Sequence, residues 1–251
     1  MYKRKIGDSI GAVGSDVLYP ERLANRFAGM VSATFTNLAI GGTASWDWLP
    51  DADTGYFNDL LVPELPDADV LTITLGGNDL QAYVEGGPPY DPVQIVLNFL
   101  EHPEYLLDIL PNIAEIIHAA QDINPDCDVV FVVYPNFANS TAMVELLGED
   151  IQQLASFAMG VGMNIARFAM GDIPGVTLAD MLGALGDTWL DPYLIAEVHP
   201  NDAGHQLYAD VIFASLGGVV IEDENQQVNR LYGFFAPDLV PPDGDDDSVD
   251  D

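Results

Sequence analysis

Cysteine is almost absent from this 251-residue chain: Cys127 is the only one. An internal disulfide and any multi-cysteine metal site are thereby excluded. Because Cys127 precedes the apolar run Val129–Val133, a buried structural thiol is expected. Basic residues are nearly as scarce. Two Lys and five Arg stand against 29 Asp and 11 Glu, for a formal net charge of −33. A chain so acidic is repelled by phosphate backbones, which argues against nucleic acid and anionic membrane surfaces as main partners. Asp-heavy, Lys-poor surfaces suit concentrated salt, where screening relieves self-repulsion, and a saline environment is the expectation. Long apolar runs are also missing: no stretch reaches the roughly 18 uncharged apolar residues of a membrane span. Met1–Lys5 has the charge of a signal-peptide n-region with no apolar h-region behind it. Secreted and cytoplasmic locations both stay open.

What is present is a core. Apolar residues form 49% of the chain, enough to exclude wholesale disorder. Val70–Leu75 and Val129–Tyr134 are β-branched, nearly continuous apolar runs, the pattern of strands buried in a parallel sheet. Phe35–Ile40 is a shorter strand candidate. Helical spacing appears in Ile113–Ile123 and in Leu207–Ser215. Thr141–Met170 is a long helical pattern with a break expected near Gly160-Val161-Gly162. This alternation predicts one α/β domain over residues 1–236 with a mainly parallel sheet. Residues 81–110, long and apolar, are either a lid or acyl-binding insertion or an ordinary packed connection. Residues 237–251 form an acidic tail for which disorder is expected.

Four short blocks carry chemistry-bearing residues. Gly7-Asp8-Ser9 follows a candidate first strand, and ligands of open α/β sheets sit beyond the carboxyl ends of strands. Asn37–Thr43 ends in Gly41-Gly42, where positive φ and close backbone approach to a ligand are allowed. Gly76-Gly77-Asn78-Asp79 closes the Val70–Leu75 run, and the Asn78 amide is suited to donating to a developing oxyanion. Its bland alternative is an Asx-type turn. Last comes His199-Pro200-Asn201-Asp202-Ala203-Gly204-His205. Pro200 holds His199 extended, as suits a loop residue projecting into a cleft. A histidine so placed can act as general base for a serine. Zinc binding by His199 and His205 is disfavoured, because their spacing is six and no third ligand is near.

The order and spacing of these blocks resemble the GDSL/SGNH hydrolase family over roughly residues 5–215. The resemblance implies a three-layer α/β/α, flavodoxin-like fold and hydrolysis of a small-molecule carboxylic ester through an acyl-serine, with no metal or organic cofactor. Carried over by motif position, Ser9 is the nucleophile and His199 the base and later the acid. The Ser9 and Gly42 N–H groups and the Asn78 amide form the oxyanion hole. Trp46 and Trp48, just after Gly42, are candidates for a substrate pocket, against core packing as the ordinary role of Trp.

Two positions depart from the family. Its usual aspartate, three residues before the histidine, is replaced by Ala196. Glu197 is the nearest substitute acid and Asp191 a second; otherwise a backbone carbonyl orients the ring of a Ser–His dyad. Loss of the acid can cost around 10⁴ in kcat. A non-catalytic pseudo-hydrolase that binds an acyl or sugar ligand is therefore the alternative. The other departure is Tyr2-Lys3-Arg4-Lys5-Ile6, where the family has an apolar central strand. Three consecutive charges are implausible in a buried strand, since unpaired buried charge is costly.

Overall fold

The computed structural model describes residues 2–28, 33–80, 92–195, 198–221 and 230–234. Its centre is a five-stranded sheet in the order β2-β1-β3-β4-β5, every neighbouring pair parallel. The strands are β1 (Tyr2–Gly7), β2 (Thr34–Asn37), β3 (Val70–Thr74), β4 (Asp128–Val133) and β5 (Val176–Asp180). Alternation along them supplies two cores. Leu71, Ile73, Val129, Phe131 and Val133 face one layer of helices. Val70, Val130 and Val132 face the other. On the first face pack α3 (Leu106–Ile123) and α5 (Glu149–Gly171), with α2 (Pro92–Glu101) beside α5. On the second lie α1 (Tyr19–Ala28) and α7 (Asp202–Ser215), which pack on each other through Leu23, Phe27, Tyr208 and Phe213. Two further helices, α4 (Thr141–Leu147) and the short α6 (Met181–Leu185), follow β4 and β5. The order 2-1-3-4-5 makes this a three-layer α/β/α, flavodoxin-like fold, whose switch point lies between β1 and β3. A small antiparallel pair, β6 (Gly218–Ile221) with β7 (Arg230–Phe234), follows α7. No helix of the described residues is long and apolar enough to cross a membrane.

Two expectations are corrected, and one strand goes beyond them. The charged N-terminal segment is β1, paired on both sides inside the sheet. Lys5 is buried there, and the sheet accommodates it in two ways. Its Nζ lies 4.5 Å over the Tyr19 ring, and burial lowers its pKa to about 7, against the attraction of Asp8. The long helical pattern breaks at Gly148, between α4 and α5, and passes unbroken through Gly160-Val161-Gly162. Finally, β5 (VTLAD) is an edge strand only partly buried, so it lacks the continuous apolar run that marks β3 and β4. Cys127 is buried and in no disulfide, as expected. The acidic tail lies outside the described residues.

Candidate active site

β1 carries Gly7-Asp8-Ser9 to the carboxyl edge of the sheet, beside the switch point. Its close approach to β3 requires glycine at position 7, where a Cβ would lie 2.0 Å from Thr74 Oγ1. The chain then enters a single 3-10 turn, Ser9–Gly11, capped by Asp8, whose Oδ1 accepts from the Ile10 N–H at 3.0 Å. The other Asp8 oxygen accepts from the Tyr134 hydroxyl at 2.7 Å. Burial raises the Asp8 pKa, and these two donors together with Lys5 and His199 oppose the shift. Ser9 itself is half-buried.

The second and third blocks converge on that turn. A Cβ on Gly41 would stand 3.7 Å from the Ser9 Cβ, so this loop borders the serine. Gly42 has φ 81°, a conformation side chains rarely adopt, and faces open space. From the end of β3, the Asn78 amide donates to the Thr43 carbonyl at 2.9 Å. Asp79 is fully buried; both its oxygens accept from the Ser45 N–H at 3.0 Å, and Oδ1 also accepts from the Ser45 hydroxyl. Burial raises the Asp79 pKa against the Ser45 donors. Asn112 on α3 donates to Ser45 Oγ at 3.1 Å. Asn78 and Asp79 thus clamp the Gly42 loop to the end of β3.

The histidine loop closes the site. Leu194 bridges Pro200, and the Ile195 N–H donates to the His199 carbonyl at 2.8 Å. Asn201 caps α7 by accepting from the Gly204 N–H at 3.0 Å, while its amide donates to the Pro192 and Leu194 carbonyls at 3.0 and 3.2 Å. Held at both ends, the loop places His199 Nε2 3.0 Å from Ser9 Oγ. These residues are 190 apart in sequence.

Other candidates are placed elsewhere. Asp191 accepts from the Thr141 N–H at 3.0 Å, at the start of α4, and is no partner of His199. Glu197 and Ala196 lie outside the described residues. Trp48 is fully buried against Tyr56 and donates to Thr43 Oγ1 at 3.1 Å, a core residue and no pocket wall. Trp46 is partly exposed and also lines no part of the cavity described below. His205 is buried with both nitrogens engaged: Nδ1 accepts from the Tyr19 N–H at 3.2 Å and Nε2 donates to the Val13 carbonyl at 2.9 Å. Its pKa is lowered by burial. No group of three or more metal-ligating side chains occurs among the described residues.

Ser9, Asn78 and Val198 stand at the mouth of a cavity of about 490 Å³ that runs between the sheet and α2, α3 and α5. That size is typical of a small-molecule site. The family model described as GDSL-like Lipase/Acylhydrolase matches residues 6–207.

The chain belongs to the GDSL-like lipase/acylhydrolase family. Solved structures agree on the fold. A lipase from a goat rumen metagenome is 18% identical, with TM-score 0.64, over 86% of this chain and 97% of its own. Phospholipase A1 from Streptomyces albidoflavus NA297 is 18% identical, with TM-score 0.63, over 85% and 98%. A catalytic mutant of an acetylxylan esterase from Geobacillus stearothermophilus is 14% identical, with TM-score 0.56, over 86% and 94%. No curated protein matches the sequence. Within this GDSL-like chain, reasoning from sequence overlooked Asp79, Asn201 and Tyr134 as organisers of the site. Asn201 had a visible signal, an N-cap residue directly after Pro200. The partners of Asp79 and Tyr134 are 34 and 126 residues away, which local sequence does not show.

Proposed function

We infer that the protein is a serine hydrolase of carboxylic esters. The observation that carries the reading is the 3.0 Å contact of Ser9 Oγ with His199 Nε2 at the mouth of an apolar cavity. With its proton on Nδ1, His199 accepts the hydroxyl proton at Nε2 as Ser9 Oγ bonds to the ester carbonyl carbon. The resulting oxyanion is met by the Ser9 and Gly42 N–H groups and the Asn78 amide. Collapse expels the alcohol, which takes the proton from Nε2, and leaves an acyl-serine. Water then repeats the sequence, its proton going to Nε2 and back to Ser9 Oγ as the carboxylic acid departs. Among the described residues nothing hydrogen-bonds His199 Nδ1, which favours a Ser–His dyad over a triad that includes Asp191.

Hydrolysis of p-nitrophenyl butyrate tests this. Turnover should vanish with Ser9→Ala and His199→Ala, and Asn78→Ala should lower kcat by about 10²–10³, the usual cost of one oxyanion donor. A folded wild-type protein without Ser9-dependent turnover overturns the enzyme reading in favour of a non-catalytic binding protein.

A further inference from the structure

Residues 12–18, between the Ser9 turn and α1, have no regular structure. A side chain of the facing helix ties them down. His205, in the first turn of α7, reaches this segment with both ring nitrogens. Nε2 donates to the Val13 carbonyl at 2.9 Å, and Nδ1 accepts from the Tyr19 N–H at 3.2 Å. Both bonds are satisfied only by the neutral ring with its proton on Nε2. Tyr19 is the first residue of α1, so its N–H has no acceptor within its own helix, and His205 supplies one from outside.

From this ring the paths to nucleophile and base are both short. The Val13 N–H donates to the Ser9 carbonyl at 3.1 Å, beside that of Ala12 at 3.0 Å. On the other side the His205 N–H donates at 2.8 Å to the carbonyl of Asn201, two residues after His199. The two segments touch at Gly14, where φ is 105° and a Cβ would lie 2.1 Å from the Pro200 carbonyl oxygen. Ser9 and His199 therefore meet across a seam of residues 12–15 against 200–205.

Two polar links cross that seam. The outer one joins the Ser15 hydroxyl and Arg22 Nη2 to Asp202 Oδ1, the latter at 2.8 Å. The Asp202 side chain is 78% exposed, and an ion pair so exposed contributes little. The inner one is His205, which is fully buried. Losing it leaves the Val13 carbonyl and the Tyr19 N–H without a partner, the costly outcome for buried groups. A second proton on the ring has a similar effect, because an Nδ1–H would face the Tyr19 N–H. The surroundings resist that proton. Burial lowers the His205 pKa, Lys5 on β1 and Arg22 on α1 act the same way, and the bond to Val13 and the charge of Asp202 oppose them. Tyr19, stacked on the His205 ring with centroids 6.3 Å apart, and Tyr208 behind it are pushed up by burial and stay neutral.

Resting on the hydrolase reading above, we propose that His205 is a positioning residue for the nucleophile, a neutral clasp that joins the segment after Ser9 to the helix after His199 and opens when it takes up a proton. It acts through Ser9 and His199, for it lines no part of the cavity. Acid then halts turnover twice, once by protonating the base His199 and once by opening the clasp. A shift of reacting groups by about 1 Å can cost on the order of 10²-fold in rate.

The test is hydrolysis of p-nitrophenyl butyrate from acid to neutral pH by wild type, His205→Phe, His205→Gln and Ser9→Ala. Phenylalanine keeps the ring packed on Tyr19 and loses both bonds. Glutamine keeps a donor for Val13 and cannot titrate. Expected at neutral pH is a fall in kcat of about tenfold or more in His205→Phe with KM little changed, and recovery of most of it in His205→Gln. The acid limb of kcat/KM should steepen toward two protons in wild type and stay at one in His205→Gln. Thermal melts over the same pH range show which variants are folded; if His205→Phe is not, the two acid limbs decide alone. Wild-type kcat in folded His205→Phe, or equal acid limbs in wild type and His205→Gln, overturns the clasp and leaves the hydrolase reading standing. No Ser9-dependent turnover by wild type overturns both.

Discussion

Lys5 is the residue whose presence most needs a physical account. It sits in a sheet strand with its Nζ buried and without a hydrogen-bond partner among the described residues. The groups around it are Asp8 in the next turn, Tyr19 on α1, and the more distant His205 on α7. Burial lowers its pKa to about 7 from 10.5. Below pH 7 both the folded and the unfolded chain hold the proton, and the folded state bears the full cost of a buried ammonium. Between about 7 and 10.5 the unfolded chain binds more protons, so this residue's contribution to stability rises with pH. Lys5→Met should therefore stabilise the fold at pH 6, where the buried ammonium is uncompensated by a hydrogen bond. The gain should narrow at pH 9.5. Asp8 acts in the same direction: without Lys5 its ionisation becomes harder, so the variant loses ground as pH rises. Urea denaturation midpoints at the two pH values check this, and an equal gain at both would refute it.

At the scale of elements, the loop ahead of α7 and the cap that begins it are one device. Asn201 holds the helix N-terminus and, through its amide, two carbonyls of the loop that presents His199. Asn201→Ala should cost about 0.5–2 kcal/mol of stability for the lost cap. It should also lower kcat with little change in KM, because Asn201 does not line the cavity. Thermal melts alongside steady-state kinetics separate the two effects; a fall confined to Tm would leave the loop without need of this anchor. The same scale explains what the sequence could show. β3 and β4 are buried on both faces, so their apolar runs are continuous and readable. β5, at the edge, is mixed, and β1 hides a lysine that only Tyr19 and Asp8 make tolerable. The glycines of α5 resemble a helix break because local propensity does not register Phe99 and Leu106, which pack against Gly162. The four candidate blocks were legible because each is a short local turn. Their clamps, Asp79 to Ser45 and Asp8 to Tyr134, are long-range and were not.

For the whole molecule the dominant quantity is charge. Seven basic residues cannot neutralise forty acidic ones, and among the described residues the cations in ion pairs are Arg22, Arg26, Arg167 and His102. Most carboxylates therefore face one another across solvent, and compaction brings them closer. Screening should relieve this repulsion, since the Debye length falls from about 10 Å at 0.1 M to about 3 Å at 1 M salt. We propose that the fold is adapted to saline surroundings. Raising NaCl from 0.1 to 1 M at pH 7 should then lift Tm by about 5–10 °C, equivalent to a few kcal/mol for a chain of this size. Salt can also stabilise by strengthening apolar burial, an effect independent of carboxylate charge. The two are distinguished at pH 4.5, close to the sequence pI of about 4.1, where the net charge has largely been titrated away. A salt gain that collapses at pH 4.5 identifies repulsion among carboxylates as its source. An equal gain at both pH values would assign it to burial and withdraw the argument for a saline habitat.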